Sequence, residues 1–298
     1  MLDIIQSMEN SNNNLIFQEY LVIFFDLLGQ RESLRKITSI PGSEPEKAEF
    51  LELVKKSVGR VLLLRHAFKS YFDSATEYVP NTAIVAPEYR QEFVESQKVN
   101  FHHYGLSDAI VIAVPLMNEN ENCTPINGVF SALTATCAIA LIALSIKIPA
   151  RAGIDVGVGV QIDDREVYGP ALERAVRIEG QLAEYPRLVV GRELLAYLNW
   201  VENQKYQTRL GEIAANMAKL CRKLMVQDTD GQIILDYLGK NINEVFENNI
   251  EKEIVLNAWD YVKDQHIKNV EQNNERLASR YFRMSRYFKS RLHLWGIE

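Results

Sequence analysis

Cysteine is scarce and scattered: Cys123, Cys137 and Cys221 are an odd number, far apart and without CxxC spacing. That excludes a disulfide framework and a cysteine-built zinc site, and it suits a reducing compartment. The chain opens MLDIIQSMENSNNN, an early acid and a polar run in place of a basic region followed by an apolar one. No secretory leader is read there, and the expected location is cytoplasmic. Positive charge is also in short supply. A formal net charge of -6 gives no surface built for a phosphate backbone, so nucleic acid is not expected as the main partner. There is no GxxxxGK[ST] phosphate loop, no GGDEF-like signature and no recognisable Ser-His-Asp or Cys-His arrangement. His102 and His103 are adjacent in a strand-like run and so face opposite ways, which makes them a poor metal pair.

What is present is apolar. At 298 residues and 47% hydrophobic the chain can bury a sizeable core as one large domain or a domain with an extension. One stretch, 129–146, carries no charge over eighteen residues, the lower limit for a membrane span. Its Ser131, Thr134, Thr136, Cys137 and Ser145 dilute the apolarity and no aromatic girdle flanks it, so it reads as a helix buried against a sheet, with no membrane partner. Strand-like runs lie at 20–28, 99–104, 109–115, 150–156, 157–162 and 187–190, and helical periodicity at 44–72, 127–146, 170–185 and 191–203. Gly105 to Ser107 joins two strands as a hairpin, and Gly157 and Gly159 suggest a second within 154–162. Residues 78–95 hold two prolines and no sustained period, so they read as a loop.

This order predicts an α+β fold, a ferredoxin-like antiparallel sheet with helices on one face. The expected layout is a polar segment at 1–19, the main domain at 20–205 and a mainly helical extension at 206–298, packed on the core. The extension contains a strand candidate at 231–239 and ends in a long amphipathic helix. From Arg276 onward six basic residues face a single acid, Glu298. Such a tail reads as a packed helix with a solvated face, with a sensing role or nucleic-acid contact as the other reading.

Two carboxylates break the apolar pattern, Asp26 in YLVIFFDLLG and Asp108 in YGLSDAIVIAV. A buried charge costs several kcal/mol unless paired or metal-bound, on the order of the desolvation penalty per ion. Gly29 follows the first, and Gly105 and Ser107 precede the second, so both aspartates fall where a strand meets a turn and where a metal ion can be held. The plainer reading makes them capping or turn aspartates.

The segments FFDLLG, GLSDAIVIAV, RAGIDVGVGVQ and REVYGPALERAVRIEGQLAEYPRLVVG follow one another in that order. Over roughly 20–205 they resemble the catalytic core of the class III nucleotidyl cyclases. GPALxxAxxIE with a following YPR is similar to the divergent bacterial branch that includes the Pycsar pyrimidine cyclases of antiphage defence. The resemblance implies that Asp26 and Asp108 hold two divalent ions, Mn²⁺ or Mg²⁺, with the backbone carbonyl of Leu27 completing one shell. Backbone N–H groups around Gly29 and Gln30 would meet the triphosphate.

Two base-recognition positions of the purine cyclases are Tyr104 and Glu166 here. Tyrosine in place of lysine removes a donor for a purine nitrogen and adds a bulky flat surface, which favours a pyrimidine. Glu166 would accept from uracil N3–H, or from the amino group of cytosine. A tyrosine packed in a strand pair is the plainer reading. The family's asparagine and arginine, four residues apart after a glycine, correspond to Glu173 and Arg177 after Gly169. Glu173 is the departure, because an ionised carboxylate cannot donate; Arg177 suits charge building on the α-phosphate. A salt bridge from Arg177 to Glu173 or Glu179 is the alternative.

The resemblance further implies head-to-tail homodimers with composite sites, and a separate effector that binds the cyclic nucleotide. The leading expectation is UTP conversion to 3',5'-cyclic UMP and diphosphate. Cytidylate cyclisation, a purine substrate, and a degenerate cyclase-fold binding module are the alternatives.

Overall fold

The computed structural model describes residues 16–29, 40–76, 99, 101–106, 108–116, 126–162, 166–205, 209–246 and 250–297. Strand β1, Ile16–Leu27, shows a period of two with both faces used. Leu21, Ile23, Phe25 and Leu27 enter one core, and Tyr20, Val22 and Phe24 enter a second on the opposite face. A strand covered on both sides has no polar face, which is why 20–25 reads as an unbroken apolar run. Strands β2, His102–Leu106, and β3, Ala109–Pro115, form the expected hairpin. Strand β4, Ala150–Ile162, lies antiparallel to the other side of β1.

The order β2-β3-β1-β4 is that of a ferredoxin-like sheet, and it continues beyond it. Strand β6, Leu188–Val190, joins β4 in parallel. Strand β8, Ile233–Leu235, pairs with β6 and with β7, Met225–Gln227. Strand β5, Glu166–Tyr168, returns on the end of β4. Two expectations are corrected here. Residues 154–162 do not form a hairpin: Gly157 and Gly159 lie inside the single strand β4, and the antiparallel partner of its end is β5.

The helices are also not confined to one face. Helix α1, Glu44–Thr76, and helix α2, Ile126–Ser145, cover the face bearing Leu21 and Phe25. Helix α3, Pro170–Leu182, covers the other through Ala171 and Ala175. Gly153 makes this close approach possible. A Cβ there would stand 2.0 Å from the Ala175 carbonyl oxygen, so only glycine lets α3 lie against β4.

Helix α2 is the uncharged stretch, and it is a core helix, with 89% of its apolar window buried. Its hydroxyls fold back on the helix: Thr134 donates to the Phe130 carbonyl at 2.9 Å and Thr136 to that of Ala132 at 2.6 Å. Helix α4, Arg192–Asn203, follows β6. Helix α5, Arg209–Lys223, leads to β7, and the short α6, Lys240–Phe246, follows β8. Helices α7, Lys252–Glu271, and α8, Glu275–Lys289, form a hairpin, and a 3-10 turn at Leu292–Trp295 closes the described chain. In α8, Tyr281, Met284, Ser285 and Phe288 are buried at helical spacing, as the amphipathic reading of the tail requires.

The YPR segment anchors the β7–β8 turn. The Arg187 guanidinium, only 2% exposed, bonds the carboxylates of Asp228 and, at 2.6 Å, Asp230, and stacks over the Tyr185 ring at 4.7 Å. Burial would raise the Asp228 carboxyl, but bonds from Tyr185, the Thr229 amide and Arg187 outweigh it and hold that group below its ordinary value. The stability it lends is therefore present above the unfolded-state carboxylate value and lost as pH falls through the folded one. Arg187→Ala strands two carboxylates in a desolvated turn. It is expected to cost about 3–5 kcal/mol, read from the denaturant midpoint.

Candidate active site

β1 and β3 bring the two aspartates together at one end of the sheet. Asp26 lies opposite Ala109 in the register, and the Leu27 amide donates to the Asp108 carbonyl at 3.2 Å. The chain turns directly afterwards at Gly29, whose φ of +86° explains glycine there. Gln30 lies outside the described residues. Asp26 is nearly buried, and the first neutraliser of its charge is a residue the sequence reading passed over. Arg151, its register partner on β4, approaches the Asp26 carboxylate at 3.2 Å and that of Glu179 on α3 at 2.5 Å, and donates to the Ala183 carbonyl at 3.0 Å.

The donor set suits a hard cation. Two carboxylates and a backbone carbonyl are oxygen ligands of the kind Mg²⁺ and Mn²⁺ take. Arg151 is no obstacle, because its contact with Glu179 is the shorter one: Asp26 can turn to a cation while the guanidinium stays neutralised. Among the described residues no group of three or more His, Cys, Asp or Glu converges to hold a metal. The aspartate pair with its backbone carbonyl is likewise not such a group.

Tyr104 and Glu166 come together within one chain. The Tyr104 hydroxyl donates to the Val167 carbonyl at 2.9 Å, tying β2 to β5, and the ring is half-buried beside the core under α3. Burial, and then the nearby Glu166 charge, push the Tyr104 hydroxyl up to about 12. It stays a neutral donor across any working pH, and it is spent on the backbone. What remains for a ligand is the ring face, beside an exposed carboxylate at Glu166.

Glu173 and Arg177 sit on the outer side of α3, opposite Ala171, Ala175 and Glu179. Gly169 is the N-cap and Pro170 opens the helix. Arg177 Nη1 lies 3.9 Å from Glu173 Oε1, with both side chains more than half exposed, a loose surface pair of small energy. Arg177 borders a cleft of about 550 Å³ between α3, the start of α4 and the β7–β8 turn, lined also by Arg174, Gln181, Arg192 and Gln232. In a single chain the α3 side chain that reaches the neighbourhood of Asp26 is Glu179, not Arg177. The six side chains singled out in the sequence thus form three separate pairs: Asp26 with Asp108, Tyr104 with Glu166, and Glu173 with Arg177.

The residue missed was Arg151, although a signal for it existed. It stands with Asp155 as one of two charges in the strand-like run 150–156, and a buried carboxylate calls for a cation as readily as for a metal. Glu179, an alternative partner for Arg177 in the sequence, turns inward to Arg151 instead; on a helix with glutamates at 173 and 179 only the packing decides which one does so.

No family model matches the chain, and no curated protein matches it. Among solved structures it is similar to that of a bacterial light-regulated adenylyl cyclase, over 79% of this chain and 100% of that one, at 12% identity and a TM-score of 0.34. A likeness of that size bears on neither substrate nor chemistry.

Proposed function

We propose that the chain is a metal-dependent nucleotidyl cyclase that converts a pyrimidine nucleoside triphosphate, UTP ahead of CTP, into its 3',5'-cyclic monophosphate and diphosphate. The observation that carries this reading is the aspartate pair, adjacent across β1 and β3, with its arginine partner held independently by Glu179.

In the reaction the ribose 3'-oxygen forms a bond to the α-phosphorus while the bond from that phosphorus to the diphosphate oxygen breaks. Two divalent ions, when bound, supply Lewis-acid stabilisation of the attacking and leaving oxygens. Asp26, Asp108 and the Leu27 carbonyl would hold them. The Tyr104 ring walls the base, its hydroxyl held back by Val167, and Glu166 accepts from N3–H of uracil. Arg177 donates to the α-phosphate oxygens as charge builds there, breaking its loose contact with Glu173 at little cost. Glu173 accepts from a ribose hydroxyl. Because Arg177 and Asp26 point to different sides of one chain, the complete site is composite, built from Asp26 and Asp108 of one protomer and Tyr104, Glu166, Glu173 and Arg177 of its partner in a homodimer. The cyclic nucleotide is a signal in antiphage defence, read by a separate effector.

The Glu173–Arg177 pairing favours one competing reading, a binding module that no longer turns substrate over. Incubation with each of the four ribonucleoside triphosphates and Mn²⁺ or Mg²⁺, with products identified by mass, separates the two. Cyclic UMP is the expected product. Turnover confined to ATP or GTP would remove the pyrimidine claim, and no turnover with either metal would leave the module.

A further inference from the structure

One basic side of α8 runs beside the end of α3. Arg276, Arg280 and Arg283 share one side of the helix by their spacing of four and three. Arg283 pins that side down, pairing with Glu184 at 2.8 Å. Glu184 directly follows Ala183, whose carbonyl accepts from Arg151 at 3.0 Å. Helix α8 therefore passes the end of α3 beside the guanidinium that holds Asp26. One turn before Arg283, Arg280 is partly buried. That burial, followed by the like charges of Arg276 and Arg151, holds its pKa below the ordinary value. Among the described residues neither Arg276 nor Arg280 makes an ion pair of its own.

Pairing, not total charge, is uneven here. Arg151 is shared by Asp26 and Glu179, and Glu184 is engaged by Arg283, which leaves Arg276 and Arg280 as the cations of this end without an ion pair among the described residues. Like charges crowded in partial burial repel, and an anion with several charged oxygens relieves them. Such an anion lies within reach of Asp26 if the α-phosphate is held there.

We propose that Arg276 and Arg280 of α8 form the binding edge for the β- and γ-phosphates of the nucleoside triphosphate, so that the C-terminal extension is part of the substrate site. This rests on the cyclase reading for the identity of the ligand, but not for the existence of an anion site. It also replaces the solvated-face reading of the tail for this side of the helix.

Calorimetric titration of inorganic tripolyphosphate into the full chain, with Mg²⁺ absent and then present, needs neither nucleoside nor turnover. The double variant Arg276→Gln/Arg280→Gln keeps the aliphatic stems and is expected to weaken binding at least about tenfold. Arg222→Gln, on α5 and paired with Glu202, should leave it unchanged. Unaltered affinity in the double variant, or equal weakening by Arg222→Gln, overturns the proposal. So does tighter binding of a short single-stranded RNA that displaces tripolyphosphate. Should the double variant fail to fold, Arg276→Gln alone, at an exposed position, decides by weakening or not weakening the titration. If no triphosphate is turned over but the variant still loses tripolyphosphate, the anion site stands and the cyclase reading falls; turnover with unaltered affinity gives the reverse.

Discussion

Asp26→Asn is expected to lower turnover by about 10³-fold or more, roughly 4 kcal/mol in the barrier, with the fold intact. The substitution keeps the size of the side chain and an acceptor for Arg151 but removes the charge a divalent ion needs. Stability should hold, because Arg151 keeps Glu179 at 2.5 Å and the Ala183 carbonyl at 3.0 Å. A thermal melt distinguishes this from a structural defect. Mn²⁺ binding to the native state alone raises the melting temperature. Wild type should show that rise, and Asp26→Asn should lose it while melting within a few degrees of wild type in metal-free buffer. Glu179→Gln gives the converse signature. It leaves Arg151 with Asp26 as its remaining carboxylate partner among the described residues, so the cation has to compete for that carboxylate and the Mn²⁺-induced rise shrinks. A rise of equal size in wild type and Asp26→Asn would take the metal away from Asp26.

How far the sequence carried depended on which interactions are local. The hairpin, α2 and the strand β1 follow from short-range composition and pattern, so their existence and type were legible. The second layer of helix was not. That α3 lies on the opposite face from α1 and α2 depends on Gly153 admitting the helix backbone against β4, a contact between residues 22 positions apart that no periodicity displays. Glycines at 157 and 159 looked like a turn because isolated glycine in a strand signals either a turn or a close approach, and here the face of β4 that carries them is pressed by Ala171, Arg174, Val167 and Tyr20. β7 was missed for a different reason: three residues hold it, and its reason for being there is the Arg187–Asp228 anchor, again long-range. At the site, residue types were legible and partners were not. Asp26 was recognisable as a charge needing compensation. That a guanidinium shared with Glu179 meets part of the need could be known only from the register that sets Arg151 opposite Asp26.

Mixing two inactive variants is expected to restore activity on the composite-site proposal. Arg177→Ala and Asp26→Ala each spoil every site of their own homodimer. In an exchanged one-to-one mixture half of the dimers are mixed, and each mixed dimer has one site with both substitutions and one with neither. Recovery should therefore approach about a quarter of wild-type activity, the fraction of intact sites for a symmetric dimer with random exchange. The basis is geometric: Glu173 and Arg177 lie on the side of α3 turned away from the face that packs under Asp26 and Arg151, with more than half of each side chain in solvent. An arginine committed to its own chain's site would face inward as Glu179 does. Exchange itself is followed by mass-tagged subunits, so that absence of recovery has one meaning. If tagged dimers form and activity stays at the level of either variant, the site is not shared between protomers, and α3 would have to turn about its axis within a single chain to bring Arg177 to the phosphate. That rotation is opposed by the contact of Ala175 with Gly153, where a single added carbon would stand 2.0 Å from backbone. A shared site leaves that contact in place; an unshared one has to break it.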